Sequence, residues 1–92
     1  MPGVYELADA DKQLIYIGQS ARDVPNRIRQ HQRRPDLAEA ICYWRYAYSR
    51  IPQADEAVLI AKYLEQHGQL PRYNRMTPKL RDRLSRYLER SR

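Results

Sequence analysis

Two short apolar-rich runs open the chain, at residues 3–8 and 13–18, with a turn-forming segment at 9–12 between them. This pattern predicts a β-hairpin. If residues 9–12 form the whole turn, Tyr5 falls directly opposite Tyr16, and such partners share a face with Cβ atoms about 5 Å apart. The sequence therefore predicts a tyrosine pair on one sheet face, and this prediction depends on the register.

A helix and a third strand follow the hairpin. Asp23 is a good N-cap and Pro25 suits a first helical turn, so a helix is expected to continue to about Gln32. Residues 35–40 predict a short helical turn. Residues 41–49 are rich in β-forming side chains that alternate in polarity, which indicates a strand.

The second half of the chain reads as two helices. Residues 52–67 carry apolar side chains over a broad surface and precede Gly68, a natural C-terminal stop, so they predict the core helix. Thr77 is placed to cap a last helix at about 78–91. The expected fold is a single α+β domain over residues 1–92, with a small, mainly antiparallel three-stranded sheet flanked by helices in the order β-β-α-β-α-α. The last helix has an apolar seam of three leucines, Leu80, Leu84 and Leu88.

The composition favours an intracellular protein. The chain has 92 residues, of which 42% are hydrophobic and 30% charged, as expected of one small domain. It has no apolar run of about 18 residues and no N-terminal secretory pattern, so we expect no membrane segment and no export. Cys42 is the only cysteine, which agrees with a reducing, cytoplasmic compartment.

The net charge of +6 lies entirely near the C-terminus. Residues 72–92 carry eight basic and two acidic side chains, whereas the rest of the chain is neutral. Such a field attracts phosphate backbones, although an arginine-rich helix can also be simply solvated. The candidate nucleic-acid contacts are Arg29, Arg72, Arg75, Lys79, Arg83 and Arg86.

Five sequence elements together resemble the GIY-YIG nuclease family. The first two are Gly-Val-Tyr at 3–5 and Tyr-Ile-Gly at 16–18. Residues 26–31 are similar to the family's arginine helix, and residues 56–60 to its glutamate helix. Residues 71–74, Pro-Arg-Tyr-Asn, are similar to a Pro-x-Tyr-Asn ending found in the N-terminal nuclease domain of the bacterial nucleotide-excision-repair incision subunit. All five occur in the family's order.

The resemblance implies an endonuclease that hydrolyses DNA phosphodiester bonds with one divalent ion, Mg²⁺ or Mn²⁺. Glu56 is the expected metal ligand, since one carboxylate suffices when the ion keeps waters and takes phosphate oxygens. An acidic residue in the first turns of a helix is also favoured by the helix dipole alone. Arg27 is expected to stabilise the scissile phosphate, with Arg29 as its competitor.

Two tyrosines are the candidates for activating the nucleophilic water. The resemblance favours Tyr5 as the base and Tyr16 as its support, without settling the division between them. A tyrosine with an ordinary pKa near 10 needs help to act as a base.

Four further residues are expected to support the site. Gly18 would permit a close backbone approach at the strand end. Gln19 stands where the repair subunits have lysine, and Gln is common elsewhere in the family. His31 is placed to hydrogen-bond the phosphate or a tyrosine hydroxyl, and Asn74 to fix nearby backbone.

Two other classes of function remain open from the sequence. One is a non-catalytic nucleic-acid-binding module of the same fold. The other is a small interaction domain that docks on a larger repair or restriction protein, or self-associates, through the last helix. Duplex, branched or nicked DNA is the expected substrate, and the residues themselves do not exclude RNA. No separate recognition domain fits in this length, so we expect weak intrinsic sequence preference.

Overall fold

The order of elements confirms the predicted fold. The computed structural model describes the backbone of residues 1–90 and the side chains of residues 1–86. None of the described helices is long and apolar enough to cross a membrane. The elements are β1 (Gly3–Ala8), β2 (Leu14–Ser20), α1 (Val24–Gln32), α2 (Pro35–Ala38), β3 (Tyr43–Tyr48), α3 (Pro52–His67) and α4 (Pro78–Arg90).

The three strands form one antiparallel sheet in the order β2-β1-β3. The predicted pairing of Tyr5 with Tyr16 is wrong, because Tyr5 pairs with Gly18 and Tyr16 pairs with Leu7. The ladder shifts after Leu7 and leaves Ile15 without a partner, which is a β-bulge. Tyr5 is therefore displaced by two residues from its predicted partner. Because side chains alternate with period two, the tyrosines still share a face, now as diagonal neighbours.

The turn of the hairpin explains one residue of this displacement, and the bulge at Ile15 explains the other. The Asp9 carboxylate accepts hydrogen bonds from the backbone N–H groups of Asp11 (3.0 Å) and Gln13 (2.9 Å). Lys12 adopts a positive φ of 60°. The side chain of Asp9 thus closes a turn over residues 9–13, one residue longer than predicted.

Local capping signals were read correctly at three helix ends. The Asp23 carboxylate accepts from the Asn26 N–H at 3.3 Å, so α1 begins where predicted. Gly68 ends α3 with φ 73°, a left-handed conformation that glycine adopts without strain. The Thr77 hydroxyl accepts from the Leu80 N–H at 3.1 Å and begins α4.

Two apolar clusters hold the helices to the sheet. One joins α1 to β1 and β2 through Tyr5, Leu7, Ile15, Val24 and Ile28. The other joins α3 and α4 to β2 through Ile17, Ile60, Ala61, Leu80 and Leu84.

Two of the three leucines in the predicted apolar seam of α4 pack inside the domain. Leu80 and Leu84 are buried against α3, at 6% and 7% exposure, so they are not free to dock on a partner. The side chain of Leu88 lies outside the described residues.

Candidate active site

The two tyrosines and His31 form one aromatic cluster, in which Tyr5 and His31 are buried and Tyr16 is half-buried. The ring centroids of Tyr5 and Tyr16 lie 6.1 Å apart, and those of Tyr16 and His31 lie 4.7 Å apart. The Tyr5 hydroxyl and His31 Nε2 are hydrogen-bonded at 2.6 Å. His31 reaches the tyrosines because it falls on the same inward stripe of α1 as Val24 and Ile28. The structure thus brings together three of the predicted site residues.

Gly18 makes room for both tyrosine rings. A Cβ atom at this position would lie 2.5 Å from Tyr5 Oη and 2.7 Å from Tyr16 Cε1, too close for any side chain. Glycine is required at this position, but for a different reason than the predicted close approach of backbone. Aromatic rings, rather than a second backbone, occupy the space.

Burial dominates the titration of this cluster. Burial and the neighbouring Tyr16 raise the pKa of Tyr5 well above its usual range, against the lowering effect of the Arg27 charge. Burial, followed by the Glu56 charge, raises the pKa of Tyr16. Burial, followed by the charges of Arg27 and Arg34, lowers the pKa of His31 to about 4. At neutral pH both tyrosines are therefore phenols and His31 is a neutral imidazole.

Arg27 lies at the mouth of an open cleft beside the end of β2. Its Nη1 donates to Gln30 Oε1 at 2.9 Å, and its side chain is otherwise exposed. Gln19 lines the same cleft, and its Oε1 is buried with no hydrogen-bond partner among the described residues. Arg29 is exposed on α1 and lines neither this cleft nor the one at Glu56. This placement favours Arg27 over its competitor.

Glu56 lines a second cleft, of about 390 Å³, which we call the Glu56 cleft. Its carboxylate faces Arg83 of α4, with 3.7 Å between Oε1 and Nη1 and with the Glu56 side chain only 16% exposed. Burial raises the pKa of Glu56, and the Arg83 charge opposes that rise. Tyr16 lines this cleft too, whereas Arg27 does not. The other lining residues are Arg34, Ile60, Tyr73, Asn74, Arg75, Thr77 and Leu80.

Asn74 fixes the backbone next to Tyr16. Its Oδ1 accepts from the Ile17 N–H at 2.8 Å, and its Nδ2 donates to the Ile17 carbonyl at 2.9 Å. The N–H of Tyr73 donates to the carbonyl of Ile15 at 2.9 Å. Residues 73–74 therefore pair with the outer edge of β2 as a neighbouring strand would.

Asp55, the other acidic residue at the start of α3, is occupied elsewhere. Its Oδ2 accepts a short hydrogen bond from the Ser49 hydroxyl, which ties the end of β3 to the helix. Glu56 is left as the carboxylate of the cleft.

The six predicted nucleic-acid contacts divide into two groups. Arg75 and Arg83 line the Glu56 cleft. The other four are exposed and lie outside both clefts; they are Arg29, Arg72, Lys79 and Arg86.

Sequence reasoning missed Arg34. This residue pairs with Asp36 at 2.9 Å and lines the Glu56 cleft. Its only local signal is its place before Pro35, which does not indicate a site. Its position next to Tyr16 follows from the packing of α2 on α1.

A three-stranded α+β fold, with a tyrosine pair flanked by an arginine and a buried glutamate, is an arrangement suited to phosphodiester hydrolysis. The family model described as the GIY-YIG catalytic domain matches residues 1–74. The chain therefore belongs to the GIY-YIG family of nuclease domains, as the motifs predicted. No curated protein matches the chain significantly. The finer likeness to the repair incision subunit stays a prediction.

Proposed function

We propose that this protein is a metal-dependent endonuclease that hydrolyses phosphodiester bonds in DNA. The observation that carries the proposal is the hydrogen-bonded Tyr5–His31 pair, which packs against Tyr16, a residue that lines the same cleft as Glu56. A domain that only binds nucleic acid has no physical need for a buried carboxylate close to bound phosphates.

Glu56 is the residue that we propose holds the metal. Burial disfavours its negative charge, which a cation would offset. Arg83 lies 3.7 Å away, beyond hydrogen-bond range, so lone pairs of Oε1 stay available. The described residues contain no group of three or more His, Cys, Asp or Glu suited to a metal. The available Oε1 of Glu56 fits Mg²⁺ or Mn²⁺ held by one carboxylate, with water and phosphate oxygens completing the coordination. Such an ion supplies Lewis-acid stabilisation of phosphate charge.

Tyr5 and His31 are proposed to remove the proton from the attacking water. A lone tyrosinate is disfavoured here, because burial raises the pKa of Tyr5. Tyr5 is 1% exposed and lines neither cleft, so this step takes place once bound substrate brings the attacking water to the Tyr5 hydroxyl. The phenolic oxygen then takes a proton from the water while His31 Nε2 accepts the phenolic proton. Because the pKa of His31 is about 4, the imidazolium is short-lived and returns its proton through Tyr5 to the leaving oxygen. The proton passes from the water to Tyr5 and from Tyr5 to His31, so no free tyrosinate forms. Tyr16 packs against both rings and supports their positions.

Arg27 is proposed to bind the scissile phosphate. It is the cation whose charge lowers the pKa of both tyrosines, so it lies where negative charge would develop. Arg83 and Arg75 would contact phosphates from the other cleft. Both follow the matched residues 1–74, so the segment after the family match contributes to the candidate site.

The decisive experiment pairs each site variant with a matched control. Supercoiled, branched and single-stranded DNA would be incubated with the protein and Mg²⁺, Mn²⁺ or chelator. We expect metal-dependent nicking that Glu56→Gln and Arg27→Gln abolish while DNA binding persists. The controls Glu65→Gln on α3 and Arg33→Gln at the end of α1 change the same charges at exposed positions and should retain activity.

Two outcomes would contradict the proposal. Cleavage that survives both site variants would mean that the reaction occurs elsewhere. Tight DNA binding with no cleavage under any metal condition would favour the non-catalytic binding module.

A further inference from the structure

The strand β3 is an edge strand whose side chains are uncovered on both faces. Each of its six residues is exposed. They include large aromatic side chains, Trp44 at 53% exposure, Tyr46 at 47% and Tyr48 at 61%. Exposed aromatic side chains in a contiguous group indicate an interaction surface.

Three of these rings lie on the face of the sheet that carries Tyr5 and Tyr16. Tyr46 pairs directly with Tyr5 across the β1–β3 ladder, and Trp44 and Tyr48 occupy the positions two residues to either side. The helix α1 packs on this face against β1 and β2. We call Trp44, Tyr46 and Tyr48 the aromatic row.

We propose that the aromatic row binds single-stranded nucleic acid, with unpaired bases stacked on its rings. Side chains two residues apart on a strand are separated by about 6.6–6.8 Å. Bases stacked in a duplex lie about 3.4 Å apart and offer their edges rather than their faces, so they do not match this row. Bases splayed from a single strand can reach successive rings.

Charge favours a polyanion over a second copy of this chain. Between residues 40 and 54 the sequence has no Asp or Glu, but it has Arg45 and Arg50. Glu6, the carboxylate beside the strand, already pairs with Arg45. Glu6, Arg45 and Arg50 together still leave this edge with a net charge of +1, so pairing of β3 with its own copy would bring like charges together, whereas a phosphate backbone would neutralise them.

The aromatic row extends the proposed function by adding a substrate class. Neighbouring strands lie about 4.8 Å apart, so the row is one strand away from Tyr5. A single strand of nucleic acid bound there would place unpaired nucleotides next to the cluster of Tyr5, Tyr16 and His31. This inference rests on the proposed function only in taking nucleic acid as the ligand.

Trp44 provides a direct test, since it is the only tryptophan in the sequence. The full chain would be titrated in chelator with an oligothymidylate of about 12 nucleotides, and separately with blunt duplex DNA at the same salt. We expect saturable quenching of the Trp44 fluorescence by the single strand and little quenching by the duplex. Tyr46→Ala should weaken single-strand binding about ten-fold.

The strand supplies its own control. Tyr43 is 46% exposed, matching Tyr46, but lies on the opposite face of β3. Tyr43→Ala should leave the affinity unchanged. Equal affinity for Tyr46→Ala and Tyr43→Ala would overturn the proposal. A second result would also overturn it: without DNA, the Trp44 fluorescence changes with protein concentration and sedimentation shows a dimer. A second copy of the chain would then cover the aromatic row.

The two proposals fail in different ways. Quenching without metal-dependent cleavage would contradict the nuclease and leave the aromatic row supported. Metal-dependent cleavage without quenching would support the nuclease and contradict the role of the aromatic row.

Discussion

Acid should destabilise this protein through His31, which is buried as a neutral imidazole at 3% exposure. Its pKa is about 4 in the folded protein, whereas an unfolded chain gives about 6.5. Between these values the unfolded state binds the extra proton. Stability therefore falls as the pH falls from about 6.5, and the loss is complete near pH 4.

The size of the effect follows from the two pKa values. The loss should reach about 2 kcal/mol at pH 5 and level off at about 3 kcal/mol below pH 4. His31→Phe removes the titrating group, and at neutral pH it should cost about 1–3 kcal/mol because the buried Tyr5 hydroxyl loses its partner. The variant should then lack the acid-dependent loss that His31 causes.

Urea unfolding at about pH 7 and about pH 5 tests this directly, since carboxylates titrate alike in both proteins. The wild type should lose about 2 kcal/mol more than His31→Phe between the two pH values. His67→Phe is the control, because His67 is exposed on α3, and it should keep the wild-type loss. Equal losses in the wild type and His31→Phe would refute the assignment of a buried neutral imidazole.

Three further predictions concern how the site is built. Arg83→Gln should lower kcat by about 100-fold with DNA affinity nearly intact. Arg86→Gln makes the same change at an exposed position of α4 and should affect only the DNA affinity and its salt dependence. Equal effects of the two variants in steady-state kinetics would argue against a role for Arg83 in the cleft. Gly18→Ala should cost about 1–3 kcal/mol in urea unfolding and reduce cleavage, because its methyl group would displace both tyrosine rings; an unchanged midpoint would mean that the rings have room. Asn74→Ala should cost about 1–3 kcal/mol and speed hydrogen exchange at Ile17, since two backbone partners are lost; unchanged exchange would show that this pairing does not hold the edge of β2.

Much of the fold could be read from local signals. The N-cap at Asp23, the left-handed stop at Gly68 and the cap at Thr77 each act within a few residues, so the sequence indicates helix ends without knowledge of the rest. The broad apolar surface of residues 52–67 likewise predicts a buried helix on its own. The family motifs can also be recognised from the sequence, because each is a short contiguous segment.

The register between β1 and β2 could not be predicted from such local signals. The displacement of Tyr5 from Tyr16 depends on the side chain of Asp9 extending the turn and on a bulge at Ile15. Both involve a choice between nearly equal local arrangements, which short-range sequence signals do not distinguish. The tyrosines stay on one face only because the displacement is an even number of residues.

The sequence alone determined the family, the order of the elements and the residue types of the candidate site. Tertiary structure decided which of those residues meet. Asn74 reaches the backbone of Ile17 across 57 positions, and Arg83 reaches Glu56 from another helix. It also left the aromatic row of β3 uncovered at the sheet edge. These contacts join distant parts of the chain, and only the packing of the whole domain fixes their geometry.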